Sequence, residues 1–507
     1  MNTSEKNVIP GGGGGVSSSA VSREAPAHER SRATNGAASA FCAGVKPTLL
    51  GFAAFALAAA AAVGARADVA NGTVFTWTST TGGDMADGAN WNQNGESPVD
   101  WPNTRFTIAK EQSAPVTLSQ SLVMTNNSAS TSYSSSFGAS VELKFDAADV
   151  ALTTHVISVV EGKSVSLTRG CITNTIEFGM GYNKTTGATF TVDGAEAALV
   201  CRGSRGLSLG HGNGGVDNAL VVTNGGTLVV SGGFTTIGNG PKAKNNALVV
   251  TGEGSSASLG MLCLGRGGDG SGRVEVLDGG TVSIAPGSSA AYIFNNPLAT
   301  NALIHASGAG SMFSSTSSSY PRVYGCKNVL RASDGGTISG NWCLYGVSNE
   351  VQVANGTVKG AFNHVERDGS AYSEKINANK GVGSAISFSG AAPKFEISGG
   401  TLFGDATLRF DVPADGWATA PMTLTDKAAF TLGETKIDVT VPREAGNMTV
   451  PLVYAKNGFQ MDAGQLAAWT AAVNPGRGKT GELVLSADGK TLSCKIDGQA
   501  GTTIVIR

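Results

Sequence analysis

One phrase recurs along this chain and limits what it can become. Residues 207–233 read LSLGHGNGGVDNALVVTNGGTLVVSGG, and 246–260 (NALVVTGEGSSASLG), 273–284 (RVEVLDGGTVSI) and 328–340 (NVLRASDGGTISG) repeat its centre. Repetition of this kind means a small unit stacked many times, each unable to bury its apolar face without its neighbours. Aligned on the residue that opens the central strand, the units start at His155, Ala188, Asn218, Asn246, Gly272, Asn301, Asn328 and Asn349, with steps of 21–30 residues from Ala188 onward. Each unit holds a strand ending near Gly (Leu207-Ser-Leu-Gly210, Leu262-Cys-Leu-Gly265), a central strand, a Gly-Gly turn and a third strand. Three short strands per unit, with no helix between them, describe one coil of an all-β, right-handed parallel β-helix, or β-solenoid. At about 4.8 Å per coil the eight aligned units would extend roughly 40 Å. Composition agrees: Gly supplies 71 of 507 residues and charged residues only 15%, as strands joined by tight turns require.

The alignment assigns duties. Period-2 geometry puts Phe190, Leu220, Leu248, Val274, Leu303, Leu330 and Val351 in one inward column. Val192, Val222, Val250, Val276, His305, Ala332 and Val353 form the next, in which His305 is the odd member and marks a bulge or a register slip. Between them Thr191, Val221, Val249, Glu275, Ile304, Arg331 and Gln352 face out. Asn218, Asn246, Asn301, Asn328 and Asn349 are expected to stack as a hydrogen-bonded ladder. The pairs Gly225-Gly226, Gly279-Gly280 and Gly335-Gly336 are expected to supply positive φ at the far turn.

An address is also legible. Residues 49–63 (LLGFAAFALAAAAAV) are an apolar run preceded by Lys46 and followed by Ala65-Arg66-Ala67, the layout of a signal peptide cleaved after Ala67. The run is shorter than the ~20 apolar residues of a membrane-spanning helix. The polar residues 1–45 read as an extended leader or as a start codon placed too early. Cleavage removes six of 36 cations and three of 38 acids, leaving 30 against 35 and a net charge of −5. No basic patch points to nucleic acid or anionic lipid. The six cysteines beyond the cut (171, 201, 263, 326, 343 and 494) have no C-x-x-C spacing and read as buried thiols rather than a zinc site.

Four segments follow from these readings: a leader and signal peptide at 1–67, a Trp-containing cap with irregular first coils at 68–154, repeats at 155–365, and a β-rich C-terminal segment at 366–507. In the cap, Trp77, Trp91 and Trp101 are half of the six tryptophans. They read as a plug over the first open coil, which would otherwise expose unpaired strand edges. Their other reading is an aromatic platform for sugar, which makes Trp77, Trp91 and Trp101 the candidate glycan contacts. After Phe362 the strands look ordinary, with one helix at 462–472 opened by an Asp462/Gln465 capping box, a hairpin around Asp488-Gly489 and a last strand at 502–507.

Trp77, Gly83-Asp84, Ala89-Asn90-Trp91 and Pro98 match the W…GDW…ANW…P pattern that opens secreted bacterial Gly-rich β-helix proteins, with Met85 where that pattern has a second aromatic. The repeats and both flanks resemble autotransporter passenger regions, closest to the type with autotransporter-associated β-strand repeats. That resemblance implies an exported solenoid serving at the cell surface. The 142 residues from Glu366 onward are fewer than the ~200 of a translocating barrel of about a dozen strands, so export without a barrel of its own is expected.

No sequence feature calls for a cofactor or metal. Gly210-His-Gly212-Asn-Gly214-Gly215 matches G-x-G-x-x-G, but no helix follows. The five histidines show no metal-ligand spacing. Polysaccharide lyases and hydrolases need carboxylates, or a base with a cation, on one face, and this alignment leaves Glu275 alone between Val249 and Ile304. The expectation is therefore a non-catalytic secreted or cell-surface solenoid, adhesive or structural; the sequence does not identify its partner, for which an extracellular glycan or surface component is the candidate. The alternative is a carbohydrate-binding or polysaccharide-degrading protein. Mass spectrometry of the exported chain should find Asp68 as its first residue; retention of residues 49–67 would refute the signal-peptide reading.

Overall fold

Each short strand of the repeats finds its backbone partner one repeat away rather than beside itself in sequence. The computed structural model describes residues 73–498, except 126–133, 182–185, 285–298, 317–321, 364–382, 400–406, 426–435 and several gaps of one to three residues. The chain is 54% strand and 3% helix and forms a parallel β-solenoid of about 11 turns with a short antiparallel region at its C-terminus. At about 4.8 Å per turn the stack is roughly 50 Å long. The expected signal segment lies outside the described residues, among which no helix is long and apolar enough to cross a membrane.

The central strands Thr189–Asp193, Ala219–Thr223, Asn246–Thr251, Gly272–Leu277, Leu303–Ser307, Val329–Ser333 and Glu350–Ala354 pair in parallel, each with the next. Second strands such as Thr227–Val230, Ser256–Leu259 and Thr281–Ile284 stack likewise on a second face. Third strands such as Gly206–Leu209 and Phe234–Ile237 complete the coil. Alternating apolar residues turn inward, so that Leu220, Leu248, Val222 and Val250 are fully buried. Burial of each such side chain is worth roughly 1.5–3 kcal/mol.

Register corrects the sequence alignment in two places. Gly272 pairs with Ala302, not Asn301, because Arg273 lies opposite Leu303. Asn301 instead holds the left-handed turn one residue earlier, φ 56°, as Asp217 and Asn245 do in their coils. Ile304 and Ala306 therefore point inward and fill the core, while His305 points out. The physical reason is desolvation, since an imidazole in an aliphatic column would lose its hydrogen bonds. His155 likewise does not open a central strand. It lies in Ala151–Val159, on the second and third faces, and the rung below Thr189 is Ser164.

The asparagine ladder holds at Asn218, Asn246, Asn328 and Asn349. Asn218 Nδ2 donates to Asn246 Oδ1 at 2.9 Å, and Asn246 Oδ1 also accepts the Asn218 backbone N–H at 3.2 Å. Asn246 Nδ2 donates to the Gly215 carbonyl at 2.8 Å. Asn328 Oδ1 accepts the Ala302 N–H at 2.9 Å, and Asn349 Oδ1 accepts that of Asn328 at 3.0 Å. At the far turn the two glycines have different jobs. Asp278 and Gly279 take φ 50° and 88°, whereas Gly280 is needed for space, since a Cβ there would lie 2.4 Å from the Val250 carbonyl oxygen.

The solenoid also outruns the expected segment boundaries. Val74–Thr76 already pairs in parallel with Arg105–Ile108, so the cap is itself the first coil. Beyond Phe362, Ala385–Ser389, Thr407–Asp411 and Lys436–Thr440 continue the central face in register. Antiparallel pairing begins only where Met448–Ala455 meets Thr491–Gly498, whose hairpin partner is Lys479–Leu485. The helix runs Ala463–Ala472; Asp462 of the capping box and the strand at 502–507 lie outside the described residues. Cys201, Cys263, Cys326 and Cys494 are free, whereas Cys171 is disulfide-bonded, a departure from the all-thiol expectation. Burial pushes the Cys263 and Cys494 thiols up to about 11, which leaves them protonated and unreactive.

Asn246→Ala removes three buried ladder hydrogen bonds, two of them to Asn218. A loss of about 2 kcal/mol or more is expected, read as a lower urea midpoint at unchanged m-value.

Candidate functional site

The tryptophans serve the core. Trp77 is fully buried and Trp91 nearly so; their rings meet edge to face at 4.9 Å, and Phe75 and Phe106 extend the cluster. Trp91 Nε1 donates to the Met85 carbonyl and Trp77 Nε1 to Gln112 Oε1. Their faces pack against protein, so as candidate glycan contacts Trp77 and Trp91 have no surface to offer a sugar. Trp101 is only partly buried and packs against the same core, its Nε1 directed at Glu96 Oε2 at 3.4 Å. The Gly210–Gly215 segment is the loop from the third strand to the next central strand, with 212–213 outside the described residues and no helix after it.

The chemistry gathers elsewhere, on the outward side of the central face. With the register corrected, Glu275, His305, Arg331, Gln352, Ser387, Arg409 and Asp438 occupy successive rungs of one column. Beside it runs a second row that includes Ser307, Ser333, Ser389, Asp411 and Thr440. From His305 to Thr440 the two rows line a groove of about 990 Å³. Its floor rests on Phe388 and Phe410, whose buried rings stack at 4.9 Å with planes 8° apart. The expected neighbours of Glu275 are corrected on one side only: Val249 precedes it and His305, not Ile304, follows, while the next acid of the column, Asp438, lies six rungs on beside Arg409.

Two hydrogen-bonded chains set the groove's electrostatics. At one end, Ser333 Oγ donates to Ser307 Oγ at 2.9 Å and Ser307 Oγ to Asp334 Oδ2 at 3.3 Å. Ser333 has then spent its one proton, so its 2.9 Å contact with His305 is completed by an Nε2–H. In the neutral ring this leaves Nδ1 as the acceptor. Burial first, and then the Arg331 charge, hold His305 below the ordinary histidine range, against smaller opposing effects of Glu275 and Asp334. In the middle, Arg331 Nε donates to Gln352 Oε1 at 2.6 Å and Gln352 Nε2 to Glu350 Oε2 at 2.8 Å. Glu350 also accepts a hydrogen bond from Ser387 Oγ and faces Arg409 Nη1 at 3.8 Å. At the far end Thr440 Oγ1 donates to Asp411 Oδ1 at 3.1 Å.

Residues 385–440 of this groove escape a repeat alignment that stops at Asn349. The signal was present: Ile386-Ser-Phe388, Leu408-Arg-Phe410 and Ile437-Asp-Val439 keep the two-in, one-out alternation of the earlier central strands. Among the described residues no group of three or more His, Cys, Asp or Glu side chains is placed to hold a metal ion. Comparison with family models, curated proteins and solved structures returns no match.

A proton NMR titration should place His305 below the ordinary histidine value. Arg331→Gln, which removes the neighbouring positive charge, should raise it; an unchanged midpoint would show that the two side chains do not face one another.

Proposed function

We propose that this chain is an exported β-solenoid that binds an extended extracellular glycan along the outer groove of its central face, in an adhesive or structural role. The observation that carries the reading is the unbroken row His305–Arg331–Gln352–Ser387–Arg409–Asp438, flanked by hydroxyl-bearing rungs. Coils about 4.8 Å apart present donors and acceptors at regular intervals, which suits a chain of repeating hydroxylated units better than a compact ligand. Short Ser and Thr side chains with a floor of aromatic packing lose little rotamer freedom on binding, and charged groups that already hold one another are preorganised to accept sugar hydroxyls.

Binding is favoured over cleavage because most carboxylates at the groove already accept hydrogen bonds within the protein. Glu350 accepts from Gln352 and Ser387, Asp411 from Thr440, and Asp334 from Ser307, whereas glycosidic hydrolysis needs a pair free to protonate and to attack. The apolar run before Ala65-Arg66-Ala67 supports export, and the likeness of the repeats to autotransporter passengers supports a place at the cell surface.

Ser387 faces outward at mid-groove, so Ser387→Trp fills the groove without touching the core. On an array of neutral and acidic polysaccharides the wild-type protein should retain at least one extended glycan, and Ser387→Trp should lose it at unchanged circular dichroism. Retention of every bound glycan by the variant would move the binding surface off this face.

A further inference from the structure

The positive charges of the groove are not equivalent. Arg409 faces Glu350 and has Asp438 and Asp411 on the adjoining rung and row. Arg331 is different: its ladder neighbours are His305 and Gln352, and among the described residues no carboxylate lies within salt-bridge distance of its guanidinium. Of the acids around it, Glu350 accepts from Gln352 and Ser387 and faces Arg409, Glu275 faces Arg273 Nε at 3.4 Å, and Asp334 accepts from Ser307. The hydrogen bond to Gln352 uses Nε and fixes the plane of the guanidinium, which leaves both Nη groups for a ligand. Such a fork suits a carboxylate, to which it can donate two parallel hydrogen bonds.

Resting on the glycan-binding reading, we propose that the groove selects an acidic heteroglycan that carries its carboxylates apart, one of them seated on Arg331 and neutral sugars lying over Ser387 to Thr440. The spacing follows from the far end of the groove. Asp411 and Asp438 would repel an anionic sugar there but accept hydrogen bonds from the hydroxyls of a neutral one. Arg331 and Asp438 are four rungs apart, roughly 19 Å, room for several sugars between the seated carboxylate and the acidic end. A chain charged on every sugar would place a carboxylate against those aspartates, and like charges brought together without water between them are strongly disfavoured.

The experiment compares glucuronoxylan, whose acidic sugars stand far apart among neutral ones, and polygalacturonate, acidic at every sugar, each beside its carboxyl-reduced neutral form, by affinity electrophoresis at low salt. Glucuronoxylan should bind best and lose about tenfold or more on carboxyl reduction, as for a charged hydrogen-bonded pair. Arg331→Gln should bind native and reduced glucuronoxylan equally, at the level of the reduced form. Equal binding of native and reduced glucuronoxylan by the wild type overturns the inference, as does undiminished discrimination in Arg331→Gln. Tighter, Arg331-dependent binding of polygalacturonate overturns the spaced-charge part. If only neutral glycans bind, in a Ser387→Trp-sensitive way, the inference fails and the glycan-binding groove stands; if no polysaccharide binds at all, the glycan-binding reading falls with it.

Discussion

The hydrogen bonding between one coil and the next governs everything else in this molecule. A parallel strand leaves its backbone groups to be met by the strands above and below, so each coil completes its neighbours and is incomplete alone. The buried asparagines extend that bonding into the turns: Asn246 Oδ1 accepts two N–H groups from the coil below, and Asn349 Oδ1 accepts one from Asn328. Any slip by one residue would strand these amides without partners and turn an aliphatic column toward water. Register is consequently held twice, by the core and by the turns.

The outer groove is a by-product of the same rule. Because equivalent positions stack, side chains far apart in sequence become neighbours on one face, and Glu275 and Asp438 belong to one column although 163 residues separate them. The column changes character along the stack, from Thr191, Val221 and Val249 to the polar run that begins at Glu275. Inward positions stay apolar throughout, from Leu220 to Val439. The scaffold is thus constant while its surface chemistry is free to vary, and a groove with a directional gradient of charge can arise without any change in fold.

Much of the fold was legible from residues 188–353, where alternation, asparagine spacing and glycine pairs agree. What eluded reading has physical causes. Asn301 looks like a ladder residue, but both the ladder position and the left-handed position before it favour asparagine, and only pairing with Gly272 distinguishes them. That single ambiguity turned His305 inward on paper and hid the polar column. The cap tryptophans read first as a plug and second as a platform, since an aromatic ring suits both; their burial places Trp77 and Trp91 in the core. Past Phe362 the turns that follow the central strands Ala385–Ser389 and Thr407–Asp411 carry no Gly-Gly pair, which concealed coils that the apolar alternation of Ile386, Phe388, Leu408 and Phe410 still encodes.

By itself the sequence determined that short strands would stack as a solenoid, since its apolar residues recur at a spacing that no isolated unit can bury. It determined which residues turn the chain, because left-handed backbone and close approach leave few choices beyond Gly, Asn and Asp. Only the tertiary structure decided which outward residues meet. Contact between Arg331 and Gln352, or between Glu350 and Arg409, depends on inter-coil register, and register is settled by the summed hydrogen bonding of whole coils rather than by any local preference. The candidate site therefore lies where local sequence carries least information, on a face whose members are joined only through the stack.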